Sequence, residues 1–301
     1  GVVVLDGSQG VEPQSETVFR QAQKYDVPLL FFINKLDKVG GDFYMSLNSI
    51  SEKLTKKGLA VQLPIGLEND FKGVIDLVEM KAYGFEGDDG SNVIEFEIPD
   101  EMIEDAKKYR SLLVEKIAES DDVLIEKYLN GEDLTIEEIK TGLRKLTVST
   151  KVYPVFCGAS LSNKGVQKLL DGVVEYLPSP KDVPDIVGID AESGEQIPLK
   201  PDENGPFAAL AFKIQTDPYV GRLTYFRVYS GKVNAGSYVY NSTSGKKERL
   251  GRILLMHVNH REEIREALAG EIVAGVGLEA STGDTLCSED NKVLLEKISF
   301  S

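Results

Sequence analysis

The chain has 301 residues, with 49 acidic and 34 basic side chains, a formal charge of −15, 42% hydrophobic residues, two cysteines and two histidines. That apolar content excludes a disordered polyampholyte, and the length suits two or three domains of roughly 100–200 residues each. Two cysteines cannot form a disulfide framework, two histidines cannot form an all-histidine metal site, and no apolar run approaches the ~20 residues of a membrane span.

The first predicted element is a strand over Val2–Leu5, apolar at every position. A second such run covers Leu29–Ile33. Continuous apolar runs suit strands covered on both faces of a parallel sheet. Between them lies a predicted helix with Pro13 near its start and Val18, Ala22 and Tyr25 at helical spacing. A second helix carries Phe43, Leu47, Ile50 and Leu54 along one face.

From about residue 59 to 150 the pattern changes to strand-like pieces near 59–65, 73–79 and 93–98, then three helices. The first is expected after Pro99 with Asp100 as its cap. The second covers Asp121–Asn130 and stops at Gly131. The third starts at Thr135, which forms a capping box with Glu138. This reads as an inserted α/β subdomain with a small core of its own. A third buried strand follows at Val152–Cys157, then a helix carrying Val166, Leu169, Leu170, Val173 and Val174. Cys157 and Cys287 both sit in apolar runs and are expected as buried thiols.

The Pro-rich stretch LPSPKDVP, residues 177–184, marks a boundary. From Phe207 onward come short alternating strands with glycine-containing turns, the pattern of a closed β-barrel. The expected fold class is therefore α/β plus β: a partial parallel α/β sheet, an inserted α/β subdomain, then a barrel. The expected segments are 1–58 and 151–180 for the sheet domain, 59–150 for the insert, 181–205 for a linker and 206–301 for the barrel.

Charge is unevenly spread. Residues 86–140 hold 18 acids and 6 bases, a net of −12, whereas residues 206–301 hold 11 acids and 12 bases, a net of +1. An acidic block is either a solvated helical face or a docking face for a basic partner. Glu119, Asp122 and Glu126 form its candidate stripe on the second insert helix, with Leu124, Tyr128 and Leu129 largely opposite. In the near-neutral segment, Lys246, Lys247, Arg249 and Arg252 cluster, as a phosphate-contacting group or an ordinary charged strand face. His257, His260 and Arg261 lack the spacing and further ligands of a metal site.

Chemistry concentrates in two loops. Asn34-Lys35-Leu36-Asp37 follows the buried strand 29–33, where open α/β sheets place their ligands. A carboxylate at Asp37 can accept from the ring N–H and the exocyclic amine of guanine, a donor pair adenine lacks. Asn34 can tie neighbouring loops together and reach the base edge, and Lys35 can lay its aliphatic stem along the ring. Gly158-Ala159-Ser160-Leu161 follows the strand 152–157 and lets backbone N–H groups approach a ligand. Each loop taken alone also reads as a polar turn into the next helix.

With these loops in view, DGSQGVEPQSETVFRQAQKYDVPLLFFINKLDK, CGASLSNKGVQKLLDGVVEYLPSP, DPYVGRLTYFRVYSGKV and LAGEIVAGVGLEASTGDTL resemble the elongation factor G family of ribosomal translocases over essentially the whole chain. The resemblance implies guanine binding by Asn34, Lys35, Asp37, Ser160 and Leu161, with Ser160 acting through its backbone N–H. The family usually has serine where Ala159 stands, so that hydroxyl is lost. The resemblance further implies GTP or GDP with Mg2+ as ligands of a longer parent protein, a cytoplasmic location, and the ribosome as partner. Glu119, Asp122 and Glu126 would meet the large-subunit stalk protein, and the cluster from Lys246 to Arg252 small-subunit ribosomal RNA. No membrane partner is implied.

No Gly-x-x-x-x-Gly-Lys-Ser/Thr phosphate loop occurs, nor the family's effector-loop threonine or its Asp-x-x-Gly segment with catalytic histidine. The expectation is an excised fragment without GTPase activity or catalytic residues, itself holding no metal and little or no nucleotide. Peptide-chain release factor 3, a ribosomal protection-type GTPase and a non-enzymatic ribosome-binding module are the alternatives.

Overall fold

A computed structural model describes residues 1–258 and 260–295, and the chain divides into two units after Pro178. In chain order the first unit runs β1 (Val2–Asp6), α1 (Pro13–Lys24), β2 (Leu30–Asn34), α2 (Phe43–Ser49) with a π-helical turn at Ile50–Leu54, β3 (Gly58–Ala60), β4 (Gln62–Ile65), β5 (Gly73–Asp76), β6 (Lys81–Glu86), β7 (Asn92–Phe96), α3 (Ile103–Ala118), α4 (Asp122–Leu129), α5 (Ile136–Val148), β8 (Tyr153–Cys157) and α6 (Val166–Tyr176).

Four strands form a parallel sheet in the order β1-β2-β8-β3. β2 and β8 are central, and their apolar residues are buried on both faces. β1 departs from the sequence reading. It has one ladder neighbour, and only Val3 and Leu5 are buried, while Val2 is 38% and Val4 57% exposed. An outer strand with one covered face buries every second side chain, because successive side chains point to opposite faces. The helix contacts also differ from the expected stripes. α1 buries Phe19, which meets the rings of Phe31 and Tyr153 at 5.9 and 5.4 Å, and leaves Val18 and Tyr25 exposed. On α6, Leu169 and Val173 are half-buried against the core, whereas Leu170 and Val174 are exposed.

The insertion is tied to this sheet more closely than its composition suggests. β3, at its expected edge, pairs with β8 and so belongs to the parallel sheet. β4, β5, β6 and β7 form a separate antiparallel meander, of which β6 was not anticipated. The buried Gln62 side chain accepts the Cys157 N–H at 3.0 Å. Leu113, Ile117, Ile139 and Leu143 from the insert helices join the same core as Phe31 and Val155, so the expected separate insert core is not found. Asp100 lies in a single 3₁₀ turn, Asp100–Met102, and does not cap α3 through its side chain. The α5 capping box is formed: the Glu138 N–H donates to Thr135 Oγ1 at 3.1 Å, and the Thr135 N–H to Glu138 Oε1 at 3.0 Å. Gly131 follows α4 at φ +75°, the left-handed position where helices commonly stop.

The second unit comprises β9 (Ile186–Asp190), β10 (Gln196–Leu199), β11 (Ala208–Asp217), β12 (Gly221–Ser230), β13 (Lys232–Asn234), β14 (Tyr238–Asn241), β15 (Lys246–Arg249), β16 (Arg252–His257), β17 (His260–Ile264), β18 (Glu266–Leu268), β19 (Ile272–Val276), β20 (Thr285–Cys287) and β21 (Val293–Leu294). Eight strands pair antiparallel in the order β15-β14-β20-β11-β12-β19-β16-β17 around a core that includes Phe226, Val239, Ile253 and Leu286. This is the multi-stranded antiparallel β unit expected after the α/β part; among the described residues β13 and β18 pair as a further two-stranded ladder, and none joins β15 to β17. The segment expected as a linker instead holds the β9–β10 hairpin, which pairs with β21.

Candidate functional site

The parallel pairing of Ile33 with Cys157 brings the loops after β2 and β8 out of the sheet side by side. Their backbones are joined at the root. The Gly158 N–H donates to the Ile33 carbonyl at 3.0 Å, and the Leu36 N–H to the Gly158 carbonyl at 3.2 Å. A side chain at position 158 has no room: its Cβ would sit 2.3 Å from the Lys164 carbonyl oxygen and 2.8 Å from the Phe32 ring. Beyond the root, the Ser160 N–H donates to Asn34 Oδ1 at 2.8 Å, and the Ser162 hydroxyl to Asp37 Oδ2 at 3.0 Å. Asn34, Asp37 and Ser160 are thus gathered in one place, as the sequence suggests.

For three predicted members the structure adds positions and partners that the sequence does not show. Lys35 sits at φ +62°, and its Nζ lies 2.6 Å from Asp6 Oδ2. That bond, with further donors from Ser8, holds the Asp6 carboxyl down at about 2. Lys35 is correspondingly raised. Leu161 is 97% exposed at the loop tip. The Ser160 N–H, expected to face a base, is already engaged by Asn34.

Several contributors were missed by sequence reasoning. Asp6 ends the strand next to β2, directly opposite Asn34 in register, a position readable once the two runs are taken as neighbours. Four contacts from the insertion buttress the loops. Glu68 Oε1 accepts the Gly40 N–H at 2.8 Å, and Lys164 Nζ donates to the Phe71 carbonyl at 3.0 Å. The Asn163 and Gln167 side-chain amides donate to the carbonyls of Asp89 and Gly90 at 3.0 and 3.1 Å. No local pattern marks these pairs, which join residues 28 to 93 positions apart.

The other predicted residues lie elsewhere. Glu119 is not on the second insert helix: it caps the C-terminus of α3 and pairs with Lys116 at 2.7 Å. Asp122 and Glu126 lie exposed on α4. Leu124 is buried, but Tyr128 and Leu129 are exposed, so α4 carries acids and apolar groups together on its open surface. On β15, Lys246, Lys247 and Arg249 are exposed, and Lys247 pairs with Glu289 at 2.9 Å. Arg252 opens β16 and stands 4.0 Å from Glu263. Among the described residues no three His, Cys, Asp or Glu side chains converge as metal ligands, and no helix is long and apolar enough to cross a membrane.

A parallel sheet with paired loops at its carboxyl ends, followed by an antiparallel β unit, is the arrangement of a translational GTPase. The chain belongs to the elongation factor Tu GTP binding domain family, whose model matches residues 1–179, and the model of elongation factor G domain 2 matches residues 206–289. Among named proteins it is similar to elongation factor G of Thermotoga neapolitana, at 55% identity over 300 residues, and of Thermotoga maritima, at 54%. These alignments cover 99% of the chain and 43% of each relative, so the chain spans less than half their length. A crystal structure from Thermus thermophilus matches with a TM-score of 0.76 and 29% identity, covering 96% of this chain and 40% of that one.

Proposed function

We propose that this chain supplies the guanine-recognition end, the insertion and the second domain of an elongation factor G-type GTPase, which moves transfer RNA and messenger RNA through the ribosome. The supporting observation is the pair of loops locked by Asn34–Ser160 and Asp37–Ser162. In this reading the Asp37 carboxylate accepts both the ring N–H and the exocyclic amine of guanine. The Lys35 stem covers one ring face while Asp6 holds its ammonium. Contact from the Ser160 N–H to the base carbonyl requires that donor to be shared with Asn34 or released by it.

GTP or GDP with Mg2+ is the ligand of the whole GTPase. Phosphate and Mg2+ contacts in phosphoryl transfer come from a phosphate loop and its partners, which this sequence lacks. The base loops alone should therefore hold nucleotide weakly and hydrolyse none. For ribosomal contact, Asp122 and Glu126 on α4, with Glu119 beside them in sequence, offer charge to a basic stalk protein. Lys246, Lys247, Arg249 and Arg252 offer phosphate contacts to small-subunit ribosomal RNA.

The decisive experiment is a nuclear magnetic resonance titration of the labelled chain with GDP and ADP at millimolar concentration. GDP should shift the Ser160 and Leu161 amides at lower concentration than ADP. Equal shifts with both nucleotides would refute guanine recognition. A ribosome-stimulated GTPase rate from these 301 residues would refute the assignment of phosphate chemistry to other parts of the protein.

A further inference from the structure

We infer that Ser162 is the positioning residue that orients the Asp37 carboxylate for guanine. This inference rests on the guanine reading of the site. Ala159 is buried and apolar, so it has nothing to offer a carboxylate. Ser160–Ser162 forms a single 3₁₀ turn closed by Asn163 at φ +52°, and the turn carries the Ser162 hydroxyl to Asp37. The hydroxyl has one proton and two acceptors in reach: Asp37 Oδ2 at 3.0 Å and the Ala159 carbonyl at 3.3 Å. The carboxylate is nearer and charged, and charge-assisted bonds are the stronger kind. Among the described residues Asp37 has no other hydrogen-bond donor.

The turn is itself held in place. Gly90, at the tip between β6 and β7, lies so close that a Cβ there would stand 2.6 Å from the Ser162 carbonyl oxygen. One carboxylate oxygen bonded to Ser162 fixes the rotation of the group. Both oxygens can then meet the two guanine donors together instead of sampling orientations that meet one. Recognition of the exocyclic amine is the property most sensitive to this rotation, so the contrast between GDP and inosine diphosphate, which lacks that amine, reads it directly.

The test is a set of titrations of the wild-type chain, Ser162→Ala and Ser162→Thr with GDP, inosine diphosphate and ADP, followed by magnetic resonance at millimolar nucleotide, with thermal melts as the folding control. Wild type should prefer GDP over inosine diphosphate. Ser162→Ala should weaken GDP binding roughly fivefold and bring the GDP-to-inosine ratio towards one, with an unchanged melting temperature. Ser162→Thr, which keeps the hydroxyl, should retain the ratio. An unaltered ratio in Ser162→Ala, with guanine still preferred over adenine, would overturn the role of Ser162 and leave the guanine reading standing. If wild type shows no preference for GDP over ADP, or binds neither at saturation, the guanine reading fails and this inference fails with it.

Discussion

The loops after β2 and β8 and the basic strand β15 are built on different physical terms. At the ends of β2 and β8, polar groups are fastened to one another: Asn34 to the Ser160 N–H, Asp37 to Ser162, Lys35 to Asp6. On β15 the cations stand exposed on a strand, with Lys247 paired to Glu289 at the surface. The first arrangement fixes directions, so its value lies in discriminating one ligand shape from another. The second fixes charge density, so its value lies in attraction that salt weakens. Substitutions should therefore damage the first through geometry and the second through ionic strength.

The largest expected effect is on the loop root. Gly158→Ala places a Cβ 2.3 Å from the Lys164 carbonyl oxygen. Backbone cannot give way cheaply there, and a loss of about 1–3 kcal/mol is expected, read as a lower urea midpoint with little change in slope. A midpoint equal to wild type would show that the root is looser than its packing indicates. Asn34→Ala should have the next largest effect, but on binding: the Ser160 N–H lies near solvent, so water can replace its partner. GDP affinity should fall about tenfold, as for loss of positioned polar contacts worth ~1.4 kcal/mol, while stability in urea changes by less than about 0.5 kcal/mol.

The Asp6–Lys35 pair gives a smaller, pH-dependent effect. Asp6 is lowered from 3.8 to about 2, chiefly by the hydrogen bond from Lys35. Its stabilisation is fully present above pH 4 and is lost as pH falls from about 4 towards 2. Lys35 is 41% exposed, so solvent screens the pair and keeps its contribution small. Urea unfolding of wild type and Asp6→Asn should differ most at about pH 5, and the gap should shrink steadily as pH falls through about 2; a gap that does not shrink over that range would detach the effect from this carboxylate. The smallest change in stability belongs to β15. Reversing Lys246, Lys247 and Arg249 to glutamate should alter unfolding by no more than about 0.5 kcal/mol each. If the strand meets RNA phosphates, the salt dependence of RNA binding should lose roughly one unit of slope for each contacting cation removed.

Much of this was legible along the chain. Leu30–Ile33 and Val152–Cys157 are apolar at every position, and only a strand covered on both faces needs that. Asn34 and Asp37 follow the first of them at the carboxyl end, where open α/β sheets place their ligands. The capping box at Thr135 and Glu138 involves groups three residues apart, so it could be read locally and was found. The helix faces were less legible, because spacing gives a stripe but not its orientation. Val18, on the stripe that spacing suggests for α1, is exposed, as is Tyr25 at the helix C-cap, while Phe19 is buried.

What the sequence determined by itself was the class of most elements and the residue types at the sheet end, since these depend on short-range periodicity and on covalent order; β6 and the β9–β10 hairpin escaped it. Tertiary structure alone decided which groups meet. Ser162, 125 residues from Asp37, donates its hydroxyl to that carboxylate. Asp6 claims the Lys35 ammonium, β3 joins the parallel sheet, and the tip at Gly90 presses on the Ser162 turn. Each of these depends on which strand lies beside which and on how loops fill the space left between them. That information is carried by the packing of distant segments and has no signature in any local stretch of residues.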